Sequence, residues 1–125
     1  MEDTLPIDRL ARALGELLAE HNGQNVAVLD LREMNMWTDF FVIATVTSRI
    51  HAEGLLKSLW EFSRSNGVEI WHGRRKAETG AEWNLVDFGP VVVHLMSEKA
   101  RDFYELERLW GPVAARRETA PGQGV

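Results

Sequence analysis

The stretch WNLVDFGPVVVHLMSEKARDFYELERLW, residues 83–110, decides the fold. Two apolar runs flank Asp87-Phe88-Gly89-Pro90, a turn in which Gly supplies backbone freedom and Pro withholds an N–H from any ladder. The segment reads as an antiparallel hairpin that feeds a helix. If Val86 pairs with Val91, then Leu85 faces Val92 and Trp83 faces His94. Side chains alternate along a strand, so Trp83, Leu85, Asp87, Val92, His94 and Met96 share one face. Asn84, Val86, Val91, Val93 and Leu95 share the other. Both faces are mostly apolar. Two explanations stand for the second: another layer of helices, or a partner protein docking beside Trp83.

Upstream, residues 6–21 show helical periodicity, with Ile7, Leu10, Ala11, Leu14, Leu17 and Leu18 on one stripe. Thr4 fits a cap, Pro6 a first-turn position and Gly23 a stop. Val26–Leu31 reads as a buried strand, and residues 32–38 as a connector weighted by Met34, Met36 and Trp37. Residues 39–47 (DFFVIATVT) are the clearest strand. Ser48 opens a helix to about Ser65, ended by Asn66-Gly67. Val68–His72 is expected to be a short strand and residues 73–81 a polar loop. Ser97 is placed to cap the last helix. The order α-β-β-α-β-β-β-α implies one α/β (α+β) domain, a mixed five-stranded sheet flanked by helices. It is expected to span residues 1–112, with 113–125 as a flexible tail rich in Gly and polar residues. Strand 39–47 and strand 68–72, joined by a helix, suit a parallel crossover.

The chain has 125 residues, 45% of them hydrophobic, which suits one domain with one real core. It has no cysteine, so disulfides, thiolate metal sites and thiol nucleophiles are excluded. The acidic start MEDTLPIDRL is not a secretory signal, and nothing approaches the roughly 20 apolar residues of a membrane span. A soluble, cytoplasmic protein is expected. The formal net charge of -5 argues against broad phosphate binding and favours a basic protein partner. The run Arg74-Arg75-Lys76 lies close to Glu78 and Glu82 and reads as a solvated loop.

The search for chemistry yields little. The histidines at 21, 51, 72 and 94 lack metal-ligand spacing. His51 would form an acid/base pair only if the fold carried it to Asp39 or Asp87; His94, inside an apolar strand, reads as a hydrogen-bonded core or interface histidine. Asp30, Asp39 and Asp87 sit at strand ends, yet no D-x-D spacing sets two on one strand face. Phosphate-cradling glycine loops and nucleophile elbows are absent. No cofactor or metal is expected, and the direction is toward a binding protein rather than an enzyme.

Four blocks resemble the ribosomal silencing factor family, also called the Iojap family. They are LDL at 29–31 with TDFFVIATVTS at 38–48, His51 with the helix after it, WNLVDFG at 83–89 with VVVHLM at 91–96, and RDFYELERLW at 101–110. The resemblance spans about residues 5 to 112. It implies a nucleotidyltransferase-like fold without the catalytic carboxylates. It also implies a repressor that binds the large ribosomal subunit through its ribosomal protein number fourteen. Bound there, such a protein sterically blocks the small subunit when nutrients are scarce. Organelle members are linked to ribosome assembly. By position, the family's partner-contacting tryptophan is Trp83, the residue after the hairpin aspartate is Phe88, and the last strand's apolar tip is Met96. Trp83 and Met96 would then form a contiguous patch, Phe88 would project from the turn to complete it, and Asp87 would stand at the rim, facing a basic protein. The sequence departs from the family at Val46, where Gly is usual, and at His72 and Pro90, where acids are usual. Two rivals remain: a nucleotidyl- or phosphoryl-transfer enzyme using Asp30, Asp39 and Asp87, and a homodimer that buries the hairpin face itself.

Overall fold

Alternating apolar strands and two amphipathic helices build a single mixed sheet, seen in a computed structural model. Residues 6–34, 38–70, 72–76, 82–104 and 116–119 are described, with the backbone alone at 72–76, 104 and 116–119. Thr4, the Met36-Trp37 pair, Trp71, the 77–81 loop and the continuation of the last helix past 104 lie outside the described residues.

Helix α1 (Ile7–Glu20) starts one residue after Pro6, which occupies the capping position with an extended ψ of 148°. It leads to β1 (Gln24–Asp30), a short 3-10 turn (Arg32–Met34) and β2 (Phe40–Val46). Helix α2 (Arg49–Asn66) is capped by the Ser48 hydroxyl, which accepts the His51 N–H at 3.0 Å. It ends on Gly67 at φ 64°, a left-handed position that glycine adopts without steric cost. Then come β3 (His72–Lys76), β4 (Trp83–Asp87), β5 (Val91–Ser97), α3 (Glu98–Tyr104) and β6 (Arg116–Thr119). The Ser97 hydroxyl caps α3, accepting from Ala100 N at 3.0 Å.

The strand order is β3-β4-β5-β2-β1-β6. The sheet therefore has six strands where five were expected. The sixth, Arg116–Thr119, falls in the segment read as a flexible tail and pairs antiparallel with β1. Its sequence RRET carries no apolar alternation, so only backbone pairing reveals it. β3 is displaced from the expected 68–72 to 72–76, onto residues read as a polar loop, and pairs antiparallel with β4. Charged residues are the ordinary furnishing of an edge strand. β2 and β5 pair in parallel. β3 also runs parallel to β2, but β5 and β4 lie between them.

Strand parity sorts the side chains into two clusters. On one face α1 and α2 bury Leu10, Leu14, Leu18, Leu55 and Leu59 against Val26, Val28, Phe40, Val42, Val86, Val91, Val93 and Leu95. On the other, Leu29, Leu31, Phe41, Ile43, Val92 and Met96 pack with Ala100 of α3, flanked by Met34, Trp83 and Leu85. Arg101 of α3 is anchored on this second face, donating to the Thr45 hydroxyl at 2.8 Å.

Candidate partner-binding face

The β4–β5 hairpin sets the site. Its register is Trp83↔Met96, Leu85↔His94 and Asp87↔Val92, two residues away from the pairing inferred from the sequence. The reason is the turn. Phe88 N donates to Val91 O at 2.9 Å, so the strands pair up to Phe88 and Val91 and only Gly89-Pro90 form the loop. Gly89 takes φ 93°, the positive value required at the first central position of the turn. Its N–H donates to Asp87 Oδ1 at 2.7 Å, and its carbonyl accepts the Thr38 hydroxyl at 3.1 Å. Pro90 O accepts from Asp39 N and Phe40 N at 2.9 and 3.0 Å, which ties the hairpin tip to the start of β2.

A slip of two residues preserves parity, so the expected face survives it. Trp83, Leu85, Asp87, Val92, His94 and Met96 do share one side of the sheet. Phe88 does not join them. It is 2% exposed and packs in the α1/α2 core on the opposite face, because a strand continued to position 88 must reverse its side chain relative to 87. The expectation that Phe88 projects from the turn to complete the patch is corrected accordingly. Met96 is fully buried beside Trp83 on the neighbouring strand, in the core cluster against which Trp83 packs, so it does not reach outward. Trp83, Leu85 and Asp87 are half-buried and form the accessible strip of β4. Leu85 belongs to that strip by alternation alone, and alternation was the only signal for it.

His94 is the element that joins this face together. The Trp83 indole N–H donates to His94 Nδ1 at 3.2 Å. The Phe41 ring meets the imidazole edge-on, with centroids 4.4 Å apart and planes at 70°. His94 is 5% exposed, and burial pushes its pKa down to about 3. The imidazole is therefore neutral at physiological pH. Because Nδ1 accepts a hydrogen bond, the proton sits on Nε2, which is buried with no hydrogen-bond partner.

The chemistry-bearing residues are not brought together. His51 lies in the first turn of α2, beyond the C-terminal end of β2, and its Nδ1 accepts from Thr47 N at 3.0 Å. Asp39 and Asp87 lie at the opposite end of that strand, by the hairpin turn. Asp30 is clasped by Arg32, with Nε to Oδ1 at 2.9 Å and NH2 to Oδ2 at 2.7 Å, and this hydrogen bond raises the guanidinium pKa further. Among the described residues no group of three His, Asp or Glu side chains could hold a metal ion. Val46 has no positive φ, since among the described non-glycine residues only Asn22 and Asn25 do.

Comparison with known proteins follows the same direction. The family model described as ribosomal silencing factor during starvation matches residues 4–123. A Treponema pallidum (strain Nichols) protein named ribosomal silencing factor RsfS is 36% identical over 100 residues, covering 80% of this chain and 88% of that protein. A Mus musculus protein named mitochondrial assembly of ribosomal large subunit protein 1 is 31% identical over 98 residues, covering 78% of this chain and 43% of its own length. The crystal structure of a Chromobacterium violaceum protein superimposes with a TM-score of 0.77 at 30% identity, covering 96% of this chain and 97% of that one. With the family model matched over residues 4–123, relatives at 30% identity or more and a solved fold that superimposes on nearly the whole chain, this chain belongs to the ribosomal silencing factor family.

Proposed function

We propose that this protein is a ribosome-associated translation repressor that works by occupying space. It binds the large ribosomal subunit through ribosomal protein number fourteen and blocks the small subunit from joining when nutrients are scarce. The family's description supports action during starvation, and the name of the mouse relative supports the large subunit as partner. The observation that carries the reading is the half-buried strip Trp83-Leu85-Asp87, seated on buried Met96 and His94. A rigid aromatic with one apolar flank and one satisfied polar atom is the type of residue that centres an interface. Asp87 at the other end of the strip, on a chain of net charge -5, suits a basic ribosomal protein.

A small domain cannot match a whole subunit in buried area, and it need not. It has only to overlap the joining surface with enough affinity at its working concentration. Truncating a tryptophan at an interface centre costs about 2 kcal/mol or more, roughly 30-fold in affinity. The test is co-sedimentation with isolated large and small subunits, comparing the wild-type chain with Trp83→Ala after circular dichroism confirms that both are folded. Binding to the large subunit alone, weakened about 30-fold by the substitution and accompanied by fewer joined ribosomes, is expected. Absence of binding to the large subunit at micromolar concentration would overturn the proposal.

A further inference from the structure

We propose that His94 is a positioning residue for partner docking: its neutral imidazole, accepting at Nδ1, holds the Trp83 indole in the orientation that the partner meets. The inference rests on the reading of Trp83 as a contact residue and adds the device that orients it.

The geometry is unusual for a core position. Trp83 pairs directly with Met96, yet its indole reaches diagonally along the hairpin to His94, two residues back on β5. Long aromatic side chains span such diagonals. The acceptor they reach here is buried and packed. His94 sits on a central strand between β4 and β2, opposite Ile43, with the Phe41 ring set edge-on against it. An acceptor fixed by two central strands transmits that order to the half-buried tryptophan beside it. Preorganised contact residues bind more tightly because less freedom is lost on docking.

The histidine also needs an explanation that packing does not provide. Apart from the Trp83 indole N–H, its neighbours on this face are apolar side chains, Phe41, Ile43, Leu85, Val92 and Met96, and an apolar residue would fill the same space. Histidine instead leaves Nε2 buried with no hydrogen-bond partner. Such an atom destabilises the fold, and native structures carry few of them. The liability is accounted for if an acceptor at Nδ1 is required, since only the Nε2-protonated tautomer provides one. Burial reinforces this, holding the imidazole neutral well below physiological pH.

The test is a double-mutant cycle on large-subunit affinity, together with the indole N–H resonance of Trp83 in ¹⁵N-labelled protein. His94→Leu removes the acceptor, Trp83→Phe removes the donor, and His94→Asn places an oxygen near the Nδ1 position. His94→Leu is expected to weaken binding about five- to tenfold and to shift the indole resonance. His94→Asn should bind within about twofold of wild type and restore the resonance, because its oxygen replaces the lost acceptor. The double variant Trp83→Phe/His94→Leu should bind no more weakly than the weaker single variant. Should His94→Leu not fold, His94→Val, which also lacks the acceptor, takes its place in the cycle: it should weaken binding in the wild-type chain and make no further difference beside Trp83→Phe. If Trp83→Ala weakens binding but His94→Leu does not, His94 is only a core residue and the proposal fails while the interface reading stands. If His94→Leu and His94→Asn weaken binding equally, imidazole shape rather than the acceptor matters, and the proposal fails. If Trp83→Ala itself leaves binding intact, the interface reading fails and takes this inference with it.

Discussion

Replacing His94 with Asn removes a titrating group that the fold holds neutral, and should flatten the acid limb of the domain's stability. In the unfolded chain a histidine takes up its proton near pH 6.5; in the folded chain burial delays this to about pH 3. Between those values, falling pH protonates the unfolded chain and not the native one, so protons favour unfolding. The contribution is fully present above pH 6.5 and is lost as pH falls toward 3. Each pH unit in the window corresponds to about 1.4 kcal/mol. The wild-type chain should therefore lose about 2 kcal/mol relative to His94→Asn between pH 6.5 and pH 5.

Urea unfolding of both chains at half-unit steps from pH 7.5 to pH 4.5 gives that difference directly. Carboxylates that titrate in the same range are common to the two chains and cancel in the comparison. The informative quantity is the change in the stability gap with pH. A gap that stays constant from pH 7.5 to pH 4.5 would show that the imidazole takes up its proton over the same range in the native chain as in the unfolded one, and would refute the reasoning from burial. It would also undermine the assignment of Nδ1 as an acceptor, since a doubly protonated ring has none.

Helix α2 offers a pair of substitutions with opposite signs. Gly54 lies inside the helix, where an added Cβ would meet nothing within 4 Å, so Gly54→Ala should raise stability by about 0.5–1 kcal/mol. Gly67 also has open space, but its φ of 64° strains any L side chain, so Gly67→Ala should lower stability by about 1 kcal/mol. Denaturant midpoints measure both, and equal signs would contradict the helix boundaries. Leu59 is fully buried between α2 and the sheet, and Leu59→Ala should cost about 2–5 kcal/mol by the same measurement.

How much was legible in the sequence depended on what each element uses to declare itself. β1, β2, β4 and β5 announce themselves through apolar runs, α1 through an apolar stripe, and α2 through a stripe with a capping serine and a stop glycine, whereas the left-handed residue after α1 is Asn22 rather than the expected Gly23. The two-faced hairpin was legible because parity is insensitive to a slip of two residues. The register was not, because Asp87-Phe88-Gly89-Pro90 fits both a four-residue loop and the tighter closure that buries Phe88. β3 and β6 were hidden, since His72–Lys76 and Arg116–Thr119 enter the sheet through backbone pairing at its edges. Trp83 and Met96 were placed on one face correctly. The bond from Trp83 to His94 depends on a diagonal reach and a tautomer, and neither leaves a mark in a residue string.

The architecture also explains why one face, rather than a cleft, is where function should be sought. β2 and β5 run in parallel at the centre of the sheet, and the helices that follow them depart to opposite sides. Among the described residues, one side carries the 14 residues of α1 and the 18 of α2, while the other carries the seven of α3 and a single 3-10 turn. The thinner cover meets the strip that includes Trp83 and Leu85. A catalyst on such a sheet would need charged groups to converge at the strand ends. Here Asp30 is held by Arg32 and Asp87 by the backbone of its own turn. Carboxylates spent on local bonds make rigid corners, and rigid corners are what an occluding protein requires. If the proposed occlusion holds, its effect depends on a fixed shape held against a surface, and the residues that stiffen the β4–β5 hairpin serve it as directly as those a partner touches.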